Sequence, residues 1–215
     1  MRAISAFTAA VAALALASLA CQTINRLSGS GPLPPTPAAG PTPVPLPGSG
    51  GPVQPPQSGD ALVLPDGPTI GAARDARIAR DDGVVFLETL ATETYTAEDF
   101  AEVGRTYDYT ISLDTEQPGL VFYGWCATTA QLLQDNLSKM TITFQVNGQA
   151  IEADYLHTES GTDGDLMCSQ TLMLIYDWPE GETQIEVIVA YNESVNDGMD
   201  DYGPGEQRWV YTVRR

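Results

Sequence analysis

A chain of 215 residues with 28 Asp and Glu against ten Lys and Arg has a formal charge of −18. That balance argues against a nucleic-acid partner, because phosphate binding needs a basic patch. Every acidic residue follows Gly59, so the later part of the chain sets all 28 carboxylates against eight basic side chains. Such a field repels anionic lipid surfaces, and direct docking of this part onto a membrane is not expected.

Met1 and Arg2 precede an Ala- and Leu-rich run, Ala3 to Ala20. A short positive start, an apolar stretch too brief to span a bilayer comfortably, and small residues at its end describe an export signal over 1–20. The four residues Ser18-Leu19-Ala20-Cys21 resemble the lipobox of bacterial lipoproteins, with Ser18 where that family usually has Leu. The resemblance implies that Cys21 is lipidated and becomes the mature N-terminus. It also implies a protein exported and anchored through its lipid on the outer face of the cell envelope. An ordinary cleaved signal, with Cys21 incidental, is the alternative.

Thirteen of the sixteen prolines lie before Thr69. Residues 21–68 therefore read as a disordered Pro/Gly/Ser-rich linker, with too few aromatic residues to bury a core. Polyproline-like stretches broken by Gly-Ser pairs would hold the next domain roughly 40 to 140 Å from the anchor. A transition segment, 69–83, carries Arg74, Arg77 and Arg80 interleaved with Asp75, Asp81 and Asp82, the composition of a solvated helical face.

From residue 84 the pattern changes to period two, the signature of strands buried on one face. Tyr107 to Leu113, Met140 to Val146, Ile185 to Tyr191 and Trp209 to Val213 each alternate apolar with polar residues. Segments near Val84 to Leu90, Leu120 to Cys126, Ala150 to His157 and Met167 to Tyr176 bring the count to about eight. Leu172 to Tyr176 is apolar at both parities, as for a strand covered on both sides. Asn147-Gly148 is the strongest hairpin signal, because both residues tolerate positive φ. Within 84–215 helix is suggested only at Thr96 to Val103 and Thr129 to Lys139, where a threonine opens each run.

The pattern predicts an all-β fold over 84–215: an antiparallel immunoglobulin-like β-sandwich of seven to eight strands with one or two short helical turns. The resemblance to immunoglobulin-like domains is architectural, since Trp125 directly precedes Cys126 instead of lying between the cysteines. With Cys21 set aside, Cys126 and Cys168 form an even pair, which suggests one disulfide in an oxidising compartment; two buried free thiols are the alternative. If the last five strands run as a meander, Glu159 to Asp165 and Asn192 to Glu206 share one end, opposite Asn147-Gly148.

That acidic end is the first candidate site. Asp197, Asp200 and Asp201, assisted by Asn196 or Glu193 and reached by Asp163 and Asp165, offer the oxygen ligands that Ca²⁺ requires. The spacing is not that of an EF-hand, and a solvated turn plugged by Tyr202 accounts for the same residues. Trp178 and Tyr202 are the candidate exposed rings for sugar binding, whereas Trp125 and Trp209 belong to the core. His157, the single histidine, reads as a strand-end packing residue, and no catalytic set stands out.

The expected function is thus a non-catalytic surface lipoprotein presenting a binding or scaffolding domain on a flexible tether. It needs no cofactor beyond possible Ca²⁺. The partners are the membrane through the lipid and an extracellular protein or glycan. A carbohydrate-binding module is the alternative, and a carboxylate-based glycoside hydrolase is a third reading.

Overall fold

The computed structural model describes residues 61–215, residue 115 excepted. The expected export signal and Cys21 lie outside these residues, as does the linker up to residue 60. Among the described residues, no helix is long and apolar enough to cross a membrane.

Strands β1 (Leu62–Val63) and β2 (Thr69–Ile70) form a short hairpin, followed by helix α1 (Ala73–Asp81). A 3-10 turn at Leu87–Leu90 and the single turn α2 (Ala97–Phe100) lead into β3 (Thr106–Ser112) and β4 (Gly119–Ala127). Helix α3 (Ala130–Ser138), β5 (Met140–Val146) and β6 (Gln149–Ala150) come next, then β7 (His157–Asp163) and β8 (Leu166–Tyr176). The chain closes with β9 (Glu182–Tyr191), the small ribbon β10 (Val195–Asn196) and β11 (Asp201–Tyr202), and β12 (Gly205–Arg214).

Two five-stranded sheets make an immunoglobulin-like sandwich. The first has the order β1-β2-β8-β4 with β7 also on β8, and the second has the order β3-β12-β9-β5-β6. One pair departs from the antiparallel expectation: β3 runs parallel to β12 over seven rungs. Inward-facing Tyr107, Ile111, Phe144, Val146, Ile185, Val187, Val189, Tyr211 and Val213 from the second sheet meet Val121, Met173 and Ile175 from the first. These are the alternate positions of each strand, so period-two patterning is here the direct record of burial.

Strand β8 is covered on both faces. Met173 and Ile175 enter the sandwich, while Leu172, Leu174 and Tyr176 lie under α1 with Ala76 and Ala79. Helix α1 ends in a Schellman motif, with the Val84 N–H bonded to the Ala79 carbonyl and the Gly83 N–H to that of Arg80. Gly83 takes φ of 81°, open to glycine without a Cβ penalty. The compact unit thus begins before residue 84: Ile70 is wholly buried and β2 pairs with β8.

Two expected strands are not formed as read. Near Val84 to Leu90 only the rung Phe86↔Leu120 pairs, and the chain then coils so that the wholly buried Leu87 fills the notch beside Gly119. Between Ala150 and His157 the chain leaves one sheet for the other through a 3-10 turn, Ala153–Tyr155. The alternation there arises from Ile151, buried under an N–H bond to the Phe144 carbonyl, and from half-buried Tyr155. His157 therefore opens a strand on the first sheet, and the last strands form no single meander. Their directions still alternate, which keeps the two acidic loops at one end.

Both helix signals mark real helices. Thr129 Oγ1 accepts from the Leu132 N–H at the start of α3. Thr96 and Asp99 form a reciprocal capping box, but the helix behind it is one turn.

Candidate functional site

Four segments converge at one end of the sandwich. Cys126 and Cys168 are opposite rungs of β4 and β8 and form a disulfide. Both lie on the outer face of the first sheet, at the parity of Phe122 and Leu172, so the bond joins neighbouring strands within one sheet. Beyond it lies the β7–β8 turn with Asp163 and Asp165, where Gly164 has φ of 58°. The Thr128 N–H donates to the Asp197 carbonyl, and the Asn192 N–H to that of Lys139. These bonds dock the β9–β12 loop against both sheets.

Asp197 organises that loop from within. Its residue is 5 % exposed; Oδ1 accepts the N–H groups of Met199 and Asp200 at 2.7 and 2.8 Å, and Oδ2 accepts the Tyr202 hydroxyl at 3.2 Å. Asn196 Oδ1 accepts the Gly198 N–H, and its Nδ2 donates to Asp201. Gly198 has φ of 95° against the Thr128 side chain, which leaves no room for a Cβ. From below, buried Asn136 donates to the Asn196 carbonyl.

An aromatic floor supports the loop. Tyr202 meets the Trp125 ring edge-on at 5.0 Å and lies parallel to Tyr191 at 6.1 Å. Burial pushes the Tyr191 hydroxyl up to about 12, and burial beside Asp197 raises Tyr202. Tyr191 donates to Gln207 Oε1 at 2.6 Å, while Gln207 Nε2 donates to the Phe100 and Glu102 carbonyls. This buried amide ties the segment after α2 to β12. Trp125 Nε1 is sheltered without a hydrogen-bond partner among the described residues.

The Ca²⁺ ligand set read from sequence is not assembled. Asp197 spends both oxygens on its own loop, Asn196 is engaged with Gly198 and Asp201, and Glu193, Asp200 and Asp201 point into solvent. Among the described residues no three His, Cys, Asp or Glu side chains converge on a common metal position. Trp178 is corrected too: it is 2 % exposed, its Nε1 donating to the Gln117 carbonyl, so its ring offers no platform. Tyr202 is half-buried with one face on its neighbours. The Trp178 and Tyr202 pair therefore does not form an exposed aromatic strip.

His157 is half-buried in an ion cluster on the outer face. Its Nε2 lies 3.2 Å from Glu159 Oε2, and the other Glu159 oxygen pairs with Arg80 of α1. Arg74 pairs with the buried Asp75 at 3.6 Å, and Arg77 is exposed. These arginines serve α1 and its sheet, as a solvated face does.

The burial of the Glu88 carboxyl was not anticipated. Glu88 Oε2 is enclosed without a hydrogen-bond partner, and burial raises the group from 4.5 to about 8. Burial, and beside it the charge of Glu88, raises Tyr211, which stacks on Tyr109. A folded-state value above the unfolded one means the stabilising proton counts fully below about pH 4.5 and is lost as pH rises towards 8. Glu88→Gln is therefore expected to be more stable than wild type at pH 8 by about 4 kcal/mol, and no more stable at pH 4. Urea titrations at both pH values check this.

No protein-family model matches the chain, and no curated protein matches it. Among solved structures it is similar to the Plasmodium falciparum protein Pf12p, at 7 % identity and TM-score 0.27, over 51 % of this chain and 42 % of that one. A cysteine protease inhibitor of Entamoeba histolytica, EhICP2, matches at 11 % identity and TM-score 0.26, over 61 % of this chain and 95 % of the inhibitor. The CFA/I adhesin CfaE of enterotoxigenic E. coli matches at 11 % identity and TM-score 0.20, over 51 % and 46 %. The chain thus spans less than half of the first of these.

Proposed function

We propose that this protein is a non-catalytic binding module, exported and moored by a lipid on Cys21, whose acidic loop end recognises a basic protein surface outside the cell. The tether, shortened to residues 21–60 because Leu62–Val63 pair with β2 and Leu64 is buried in the core, supplies reach, and the sandwich supplies a rigid frame. One observation carries the reading: the β9–β12 loop is held from beneath by Asp197 while Glu193, Asp200, Asp201 and the 60 % exposed Met199 face outward. A loop fixed before contact loses little conformational entropy on binding, and its carboxylates steer a cationic partner.

Hen lysozyme serves as a basic probe. Neutralising Glu193, Asp200 and Asp201 together, as Gln, Asn and Asn, is expected to weaken its binding by roughly tenfold. The same change at Asp66, Glu180 and Glu182, at the opposite end, should weaken it less than about twofold. Equal losses from the two triples in surface plasmon resonance would mean that net charge alone attracts the probe. Lipidation is checked separately: Cys21→Ala should release the protein from membranes into the medium.

A further inference from the structure

We propose that the free edge of β4 is a second docking surface, which adds an extended, cationic, proline-free peptide segment of another protein as an extra strand. This edge is distinct from the loop end. Strand β4 is the outermost strand of the first sheet, and its nine residues, Gly119 to Ala127, hold no charge and no proline. Edge strands of that kind are normally blunted by charges, prolines or covering segments, because their unpaired backbone groups accept another strand.

The register identifies which groups are free. The Leu120 N–H points away from β8 to the Val85 carbonyl, and the Thr128 N–H points the same way, to Asp197. Alternation therefore turns the N–H and C=O groups of Phe122, Gly124 and Cys126 outward as well. The Cα separation of 4.0 Å between Cys126 and Cys168 fits the narrow, non-hydrogen-bonded rungs that this assignment requires, which average about 4.5 Å. Among the described residues, no backbone group bonds this outward row between Leu120 and Thr128.

The other long edges are handled differently. On β3, the Tyr95 hydroxyl bonds both the N–H and the carbonyl of Asp108, Thr92 donates to the Thr110 carbonyl, and Glu93 accepts the Thr110 N–H. On β7 the sequence His-Thr-Glu-Ser-Gly-Thr-Asp is polar throughout. Strand β5 is uncharged too, but β6 and the Ile151 N–H cover its last rungs and leave Met140 and Ile142 outward, so among the described residues β4 offers the longest apolar run of free backbone groups. At its middle, exposed Gly124 sits between half-buried Phe122 and Cys126, so a missing Cβ leaves a notch for a docked side chain.

Charge selects the occupant. A second copy would bring its own 28 carboxylates towards these, and residues 1–60 hold eleven of the sixteen prolines, which cannot donate to a ladder. A cationic strand meets neither obstacle. Strand addition draws affinity from main-chain bonds and selectivity from alternate side chains.

The test uses the full chain and a nine-residue peptide of alternating Lys and Val, followed by residue-resolved amide exchange. Saturating peptide is expected to slow exchange at Phe122, Gly124 and Cys126 at least tenfold. The same peptide N-methylated at its five central residues should leave those rates unchanged, although its charge would still engage the acidic loops. The proposal is overturned if exchange at the three amides does not slow, or if the methylated peptide slows it equally. It is also overturned if a Glu-for-Lys peptide works as well, or if raising protein concentration alone slows exchange, which would assign the edge to a second copy.

Discussion

Serine at both Cys126 and Cys168 is expected to lower the free energy of unfolding by about 4 kcal/mol, the largest single loss anticipated in this domain. The bond closes a loop spanning 42 residues, and in the chain-entropy account its effect acts mainly by restricting the unfolded chain. In the folded state β4 and β8 are already paired over nine rungs, so the sheet keeps its register without the bond. The double variant should therefore fold to the same sandwich with its urea midpoint displaced. A loss below about 1 kcal/mol would contradict the entropic assignment.

Asp197→Ala should cost about 3 kcal/mol, because it strips the acceptor from two backbone N–H groups and the Tyr202 hydroxyl in a site shielded from water. Asp197→Asn is the informative companion. An amide oxygen can still accept from Met199 and Asp200, so this change should cost only about 1 kcal/mol. Equal losses for Ala and Asn would show that the charge, and not the acceptor geometry, holds the loop. Urea unfolding of the two variants separates these outcomes, and the Ala variant should also lose lysozyme binding.

Much of the architecture was legible because burial in a sandwich repeats every second residue. Strands β3, β5, β9 and β12 each follow the alternation of their apolar residues, and β8 shows both parities because α1 covers its second face. Asn147-Gly148 makes the expected tight turn, with φ of 49° and 77°. The failures lie where long-range geometry decides. Ile151 and Tyr155 alternate like strand residues, yet they sit on a crossover, and no local signal marks where a chain changes sheets. The parallel pairing of β3 with β12 joins residues about a hundred positions apart and leaves no trace in periodicity.

The candidate site was legible in location but not in chemistry. Strand directions placed the acidic loops together, and the paired cysteines confirm that end. A carboxylate in an Asn-Asp-Gly turn has two uses, however: it can face a cation or bond its own backbone. Asp197 does the latter, since Thr128 and Asn136 press the loop inward. Trp178 misled for a similar reason. Its neighbour Pro179 marks a turn, but the Gln117 carbonyl offers the indole a partner inside. Gln207 did carry a signal, as a polar residue at the inward parity of β12.

Hydrogen exchange across residues 192–206 of the unliganded full chain tests the central claim most directly, that the recognition loop is rigid before any partner arrives. The Met199 and Asp200 amides, bonded to Asp197, are expected to exchange at least about a hundredfold slower than an unstructured chain. Rates within about tenfold of the unstructured values would contradict the account and leave the acidic end as a solvated loop without a prearranged surface.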